Sequence, residues 1–199
     1  DESFVLPEAC PSCGGEVTLR DDVLRCARPE QCADAAIGTL SHFAAVCDIE
    51  GFGAKSLRDA FQKGVLRSPV DFYDVKREDL LRLERTGDKT AANLMAQIDQ
   101  ARRLPLPVFL RALGIPELGR SVADVLAREF QTLERLRAVT IEELSAIHSI
   151  GAVIAERVVA GLREKAALID GLLERIEVLP VDARPAPDGE QGGDGGVGD

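Results

Sequence analysis

Apolar residues recur at three- and four-residue spacing from about Ile37 to Leu179, which predicts a series of amphipathic helices. Ahead of this region, the segments EVTL and VLRC alternate between apolar and polar residues on either side of RDD, which predicts a short β-hairpin. Residues 180–199 are rich in Gly, Pro and Asp, which is typical of a disordered linker. The pattern therefore predicts a mainly α-helical chain preceded by a small β-hairpin.

Four helical segments repeat one another. They are DIEGFGAKSLRDAF (48–61), RLERTGDKTAANLM (82–95), ALGIPELGRSVADVL (112–126) and AIHSIGAVIAERVV (146–159). In each, a glycine opens an amphipathic helix and a second helix precedes that glycine; these anchor glycines are Gly53, Gly87, Gly119 and Gly151. Their separations of 34, 32 and 32 residues indicate an internal repeat of helix, tight hairpin and helix.

A glycine at a helix N-terminus allows a ligand to approach the backbone, where free N–H groups and the helix dipole favour an anion. A basic residue follows the anchor glycine within two positions in three copies: Lys55, Lys89 and Arg120. Four such sites on one scaffold suit a regular polyanion, whose backbone they would hold without reading bases. The alternative is an αα-hairpin repeat that serves only packing or partner binding.

The stretch DIEGFGAKS (48–56) fits other phosphate-binding motifs poorly. A P-loop has four residues between its glycines and a lysine directly after the second, whereas one residue separates Gly51 from Gly53 and Ala54 precedes Lys55. A dinucleotide-binding fingerprint would require a third glycine where Ser56 stands, and a strand before it. These mismatches argue against a nucleotide-cofactor site.

Four of the five cysteines are spaced C-x2-C-x12-C-x5-C, at Cys10, Cys13, Cys26 and Cys32. Two pairs of thiolates joined by a β-hairpin are typical of a tetrahedral Zn²⁺ site, and four thiolates leave no open position, so the metal is predicted to be structural. The alternatives are a redox C-x-x-C pair or incidental buried cysteines. Cys47 ends the apolar stretch HFAAVC and is expected to be a core residue.

Charge and composition refine this picture. The chain has 199 residues, 45% hydrophobic and 29% charged, with a formal net charge of −10. Most of the net negative charge lies in residues 1–47 and 181–199. The middle of the chain has balanced charges and could present a basic face. No apolar run reaches the ~20 residues of a membrane helix, and no secretory signal is evident. His42 is expected to be a core histidine, and His148 lies in the fourth hairpin.

The chain resembles the C-terminal half of bacterial NAD-dependent DNA ligases, a four-cysteine zinc finger followed by four helix-hairpin-helix repeats. The resemblance covers roughly residues 4–179 and rests on motifs in the family's order: CPSCGG, LRC, HF, DIEGFG, EDLLRL, ALGI and SIG. It implies a linker from a preceding domain (1–9), the zinc finger (10–36), a DNA-binding domain (37–179) and a disordered linker (180–199).

In that family, adenylate passes from NAD to a lysine and then to the 5′-phosphate of a nick, and the 3′-hydroxyl seals the strand with Mg²⁺ assisting. The resemblance implies a cytoplasmic, nucleoid-associated protein of replication and repair, with adenylation and oligonucleotide-binding domains in the same full-length chain and no membrane. No lysine here lies in a K-x-D-G motif, so the chain is expected to be a fragment that is not catalytic alone.

The resemblance also assigns duplex contacts across the minor groove around the nick. These fall on the hairpin residues Gly51, Phe52, Gly53, Gly87, Gly119 and Gly151 and on the adjoining Lys55, Lys89 and Arg120. Arg85 and Ser149 stand where the family usually has a glycine, and the third hairpin is expected to be longer than the others. The fourth hairpin has no cation before Arg157 and is expected to be structural.

Two other functions fit the same residues. One is a non-catalytic DNA-binding protein that has the same helix-hairpin-helix region, and an upstream K-x-D-G segment in the full gene would argue against it. The other is a helical scaffold for protein partners, which salt-dependent binding to nicked duplex would argue against.

Overall fold

The computed structural model describes residues 7–20, 23–28 and 31–181. The expected linkers at 1–9 and 180–199 and the turn RDD lie largely outside this range. The predicted hairpin forms from β1 (Val17–Arg20) and β2 (Val23–Cys26), which pair antiparallel with Val17 opposite Cys26. This register brings the cysteine that ends β2 back to the start of β1, close to the first cysteine pair.

Five helices make up the first half of the helical region. They are α1 (Ala33–Val46), α2 (Ala54–Gln62), α3 (Asp71–Asp74), α4 (Arg77–Leu81) and α5 (Asp88–Gln100). The Asp79 carboxylate caps the N-terminus of α4, because it accepts a hydrogen bond from the backbone N–H of Lys76 at 3.2 Å. The pairs α1–α2 and α4–α5 are the first two predicted helix–hairpin–helix units.

The second half repeats this arrangement between two short strands. Its elements are β3 (Arg103–Pro105), α6 (Leu106–Ala112), α7 (Arg120–Phe130), α8 (Leu133–Arg137), α9 (Ile141–Ser145), α10 (Ala152–Glu164), α11 (Ala166–Leu173) and β4 (Glu177–Leu179). A capping box begins α9: the Thr140 hydroxyl accepts from the Glu143 N–H at 3.2 Å, and the Glu143 carboxylate accepts from the Thr140 N–H at 2.8 Å.

A parallel pairing of β3 with β4 joins the end of the second half to its beginning, with Leu104 opposite Val178. Arginines tie this junction to the first half of the domain. The Arg175 guanidinium lies 2.7 Å from the Asp74 carboxylate, and Arg102 donates to the Tyr73 carbonyl at 3.2 Å. The two halves are therefore held together by contacts between residues up to about a hundred positions apart.

One continuous apolar core runs through both halves. Phe43, Phe72 and Phe109 are fully buried, and the Phe43 and Phe72 rings stack with centroids 6.1 Å apart. Cys47 lies in this core as expected, and burial, together with the adjacent Asp48, raises its pKa to about 12. The fold is mainly α-helical with a small cysteine-bearing β-hairpin, which confirms the fold class predicted from the sequence.

The position of His42 differs from its expected place in the core. Its ring is exposed at the surface of α1, and its Nε2 lies 2.8 Å from the carbonyl oxygen of Arg111 near the end of α6. The expectation was wrong because it relied on the apolar residues around His42. The helical period directs the neighbouring Phe43 inward and leaves His42 outside the core.

Candidate metal centre and nucleic-acid interface

The four predicted cysteine ligands meet at one point. The Sγ atoms of Cys10 and Cys32 are 3.7 Å apart, those of Cys13 and Cys26 are 3.5 Å apart, and all four lie within 4.8 Å of one another. This spacing follows from the β-hairpin and from the first turn of α1, whose N-cap residue is Cys32. The cluster can therefore hold a metal ion with four sulfur ligands.

A tight turn of the backbone presents the first cysteine pair. The Gly14 N–H donates to the Cys10 carbonyl at 2.7 Å, and the Cys10 N–H donates to the Gly15 carbonyl at 2.7 Å. Gly14 has φ of 69°, a left-handed conformation that glycine adopts without steric cost. The turn directs two thiols to the same side of the chain.

Backbone N–H groups and neighbouring thiols shift the pKa values of two cysteines of the cluster in opposite directions. The N–H of Ala35 lowers the pKa of Cys32 to about 7, although burial opposes this effect. The N–H of Gly15 lowers the pKa of Cys13, but the adjacent thiols, Cys26 first, together with burial raise it to about 12. Crowded thiols cannot all ionise without a neighbouring cation, and a bound metal supplies that charge.

Three of the four helical hairpins have a common backbone pattern. The residue two positions before the anchor glycine has positive φ in all three: Gly51 at 97°, Arg85 at 57° and Glu117 at 66°. The loop 113–119 between α6 and α7 is as long as the loop 47–53 between α1 and α2. The expectation of a longer third hairpin is therefore wrong relative to the first, although the third exceeds the loops 82–87 and 146–151 by one residue. Arg85 adopts the left-handed conformation although it is not a glycine, so the second hairpin keeps the same shape.

The anchor glycines lie at exposed helix N-termini without an internal reason to be glycine. Gly53, Gly87, Gly119 and Gly151 are the N-cap residues of α2, α5, α7 and α10, and all four have extended backbone conformations open to any residue. A Cβ atom added at any of them would meet no described atom within 4 Å. No side chain caps these helices, so their first N–H groups face outward.

Two other glycines show what an internal requirement looks like. A Cβ at Gly51 would lie 2.7 Å from Cδ2 of Leu94, and one at Gly161 would lie 2.4 Å from Cγ2 of Ile115. The anchor glycines have no such neighbour. Packing among the described residues therefore gives no reason for glycine at these four sites.

The three predicted cations are available to a ligand. Lys55, Lys89 and Arg120 are exposed, and within the described ranges none of them forms an ion pair. The second hairpin differs from the others because Asp88 is the first residue of α5, where its carboxylate is paired with Arg77. Asp88 reduces the attraction of this helix start for an anion.

The predicted site residue Phe52 is half-buried in the first hairpin. Its ring packs edge-on against that of Phe72, with centroids 5.2 Å apart. This contact anchors the hairpin to the core, so Phe52 supports the shape of the site.

In the fourth hairpin, the cationic position is replaced by apolar residues, and the Val153 side chain is 60% exposed. Arg157, the first cation after its anchor glycine, lies 2.8 Å from the carboxylate of Glu117 in the third hairpin. Sequence reasoning missed this pairing because the two residues belong to different repeats. That the fourth hairpin is structural stays a prediction.

Among the residues that the structure describes, every helix is too short or too polar to cross a bilayer.

Comparison with known proteins agrees with this geometry. Residues 108–168, which contain the third and fourth hairpins, match the family described as "Helix-hairpin-helix motif". A DNA ligase of Anoxybacillus flavithermus is 36% identical over 185 residues, which are 91% of this chain and 27% of that protein. DNA ligases of Nitrosococcus oceani and Alkalilimnicola ehrlichii are 38% and 39% identical over 81% and 79% of this chain, and 24% of each relative is covered. The chain thus spans about a quarter of the length of these curated relatives.

Proposed function

Because the chain is similar over most of its length to about a quarter of each of these DNA ligases, we propose that it is the DNA-binding region of a DNA ligase. In this role the hairpins bind the phosphate backbone of duplex DNA on both sides of a nick, and other parts of the same protein seal it. The region corresponds to the C-terminal portion of the ligase.

The observation that carries this proposal is the set of four exposed anchor glycines. Each begins a helix whose first N–H groups have no side-chain cap, and none is required by packing or by φ. Such helix starts bind phosphate oxygens through backbone N–H groups and the helix dipole. Because backbone contacts position a duplex without reading its sequence, they suit an enzyme that acts at any nick.

The cysteine cluster is proposed to hold a structural Zn²⁺ through Cys10, Cys13, Cys26 and Cys32. A tetrahedral ion with Zn–S bonds of ~2.3 Å places its sulfur ligands about 3.8 Å apart. The 3.5 Å and 3.7 Å separations within the two sulfur pairs are close to this value. With all four positions occupied by thiolates, the ion supplies folding energy to a finger with little apolar core.

The remaining chemistry is proposed for the full-length protein. NAD would supply the adenylate and Mg²⁺ would assist its transfer, through an adenylation domain that acts together with an oligonucleotide-binding domain and this region. We propose the division into a linker (1–9), zinc finger (10–36), DNA-binding domain (37–179) and linker (180–199), and a cytoplasmic, nucleoid-associated location. The role in replication and repair belongs to the same proposal.

Substitution in the first hairpin tests DNA binding directly. Gly53→Ala adds a methyl group where the fold has open space, and it lies where a phosphate would approach. Lys55→Gln removes one exposed cation. We expect Gly53→Ala to weaken binding to a nicked duplex about tenfold. Lys55→Gln should make the negative slope of log K against log salt shallower by about 1. Fluorescence anisotropy with labelled duplex at several salt concentrations measures both.

The matched control for the charge change is Arg163→Gln. Arg163 is exposed near the end of α10, away from the hairpin N-termini. Its loss should leave affinity within about twofold of wild type. Equal effects of the lysine and arginine substitutions would contradict a role for the hairpin, and so would a Gly53→Ala protein that binds as tightly as wild type. If the wild-type chain does not bind nicked duplex at low salt, the protein-scaffold alternative is favoured.

A further inference from the structure

A cleft with a volume of about 980 Å³ separates the cysteine finger from the third hairpin. Its walls come from β2, from α1, from the end of α6 and from the third hairpin with its anchor Gly119. It is distinct from the first, second and fourth hairpins, whose anchor glycines do not line it.

The two carboxylates in the cleft wall are neutralised by arginines from outside it. Asp34 lies 2.8 Å from the Arg58 guanidinium, and Glu117 lies 2.8 Å from the Arg157 guanidinium. Neither arginine lines the cleft. Both acids of the wall therefore contribute little net negative charge to the space inside.

The cations of the cleft wall have no such partners. Arg25, Arg111 and Lys165 line the cleft, and across residues 7–20, 23–28 and 31–181 none of the three forms an ion pair. Lys165 is half-buried, and burial lowers its pKa despite the adjacent Glu164. A partly buried ammonium group that forms no ion pair gains from an anionic ligand.

We propose that this cleft binds the phosphate backbone of the nucleic-acid strand that passes the third hairpin, so that the finger and the hairpin hold one strand together. This inference rests on the proposed function and adds a second binding surface to it. Because Gly119 lies at the cleft wall, a strand whose phosphate meets the N-terminus of α7 continues directly into the cleft. Phosphates recur every ~3.4 Å along the axis of one strand, which suits three cations in one cleft.

Removal of the cleft cations tests the proposal in the full chain. Arg25→Gln and Lys165→Gln should each weaken binding to nicked duplex about three- to tenfold. Each should also make the negative slope of log K against log salt shallower by about 1. Arg163→Gln makes the same charge change on α10 outside the cleft, and it should bind within about twofold of wild type. Because Arg25 is exposed, its substitution keeps the test sound if Lys165→Gln lowers the thermal midpoint.

A second arm exploits the neutralised carboxylate. Arg157→Gln leaves Glu117 uncompensated in the cleft wall and should weaken binding about fivefold. Adding Glu117→Gln should restore the affinity to within about twofold of wild type. If Arg157 instead contacted the phosphate directly, the second substitution would not restore binding, and the neutralisation argument would be overturned.

The outcomes separate this inference from the function on which it rests. If wild type binds nicked duplex and the Arg25 and Lys165 variants bind as Arg163→Gln does, the cleft proposal fails and the proposed function stands. If affinity rises in the cleft variants, the cleft holds the acidic segment 182–199 and the proposal is again overturned. If wild type itself does not bind at low salt, both fail.

Discussion

Helix α10 packs against the third hairpin through Gly161, and Gly161→Ala tests this contact. A Cβ atom there would lie 2.4 Å from Cγ2, 3.0 Å from Cγ1 and 3.2 Å from Cβ of Ile115. Ile115 is 4% exposed and packed in the core, so it has little room to move away. The hairpin that carries Gly119 would have to shift to accept one methyl group.

The expected free-energy change combines two opposing effects. Alanine is favoured over glycine by about 0.8–1.0 kcal/mol in a helix interior. Overpacking of a filled core costs about 1–3 kcal/mol, and a contact as short as 2.4 Å with a branched, buried side chain belongs in the upper half of that range. We therefore expect Gly161→Ala to lower the free energy of unfolding by about 1–2 kcal/mol.

Gly38→Ala is the matched control. Gly38 lies inside α1, is exposed, and has no described atom within 4 Å of an added Cβ. The same chemical change should therefore raise the free energy of unfolding by about 0.5–1 kcal/mol. Urea denaturation followed by circular dichroism measures the free energy of unfolding of both variants. In thermal unfolding, a change of 1 kcal/mol corresponds to a shift in Tm of about 2–4 °C.

The two substitutions are expected to have opposite signs, which makes the comparison decisive. If Gly161→Ala stabilises the protein as much as Gly38→Ala does, α10 does not pack closely on the third hairpin. Ile115→Ala supplies an internal check, since it removes the atoms that the new methyl group would strike. In that background, Gly161→Ala should cost much less or become stabilising.

Two further predictions concern the metal centre and the junction of the two halves. Cys32→Ala should abolish metal binding, whereas Cys47→Ala should retain about one ion per chain, as measured by elemental analysis of reduced protein; equal metal content in both variants would contradict the four-sulfur site. The hydrogen bond from Arg175 holds the pKa of Asp74 below its usual value. Because the folded-state pKa is the lower one, this stabilisation is present above the unfolded-state pKa and is lost as pH falls through the folded-state pKa. Arg175→Gln should therefore lower Tm at neutral pH and flatten its fall in acid, and an unchanged pH profile of Tm would refute this reasoning.

Local signals in the sequence were sufficient for most elements of the fold. The alternation in EVTL and VLRC produced the predicted β-hairpin, and the three- and four-residue apolar spacing produced the predicted helices. These features act over a few residues, so the sequence carries them directly. The similarity to DNA ligases, first inferred from short motifs in order, is confirmed by matches over 79–91% of the chain.

Other features depend on residues far apart in the chain. The parallel pairing of Arg103–Pro105 with Glu177–Leu179 joins strands too short to show an alternating pattern. The exposure of His42 could not be read from an apolar neighbourhood, because only the packing of α1 on the core decides which face is buried. The equal length of the first and third hairpins became clear only from where the flanking helices end and begin.

The sequence by itself determined the cysteine spacing, the fourfold repeat and the glycine at each helix start, because each of these is a short-range pattern. Tertiary structure decided which groups remain available to a ligand. Arg157 lies in α10 and Lys165 is the C-cap residue of the same helix, yet Arg157 pairs with Glu117 while Lys165 lines a cleft and forms no ion pair with any described residue. Ion pairing and burial depend on distances in space, so only the packed chain shows where a phosphate can bind.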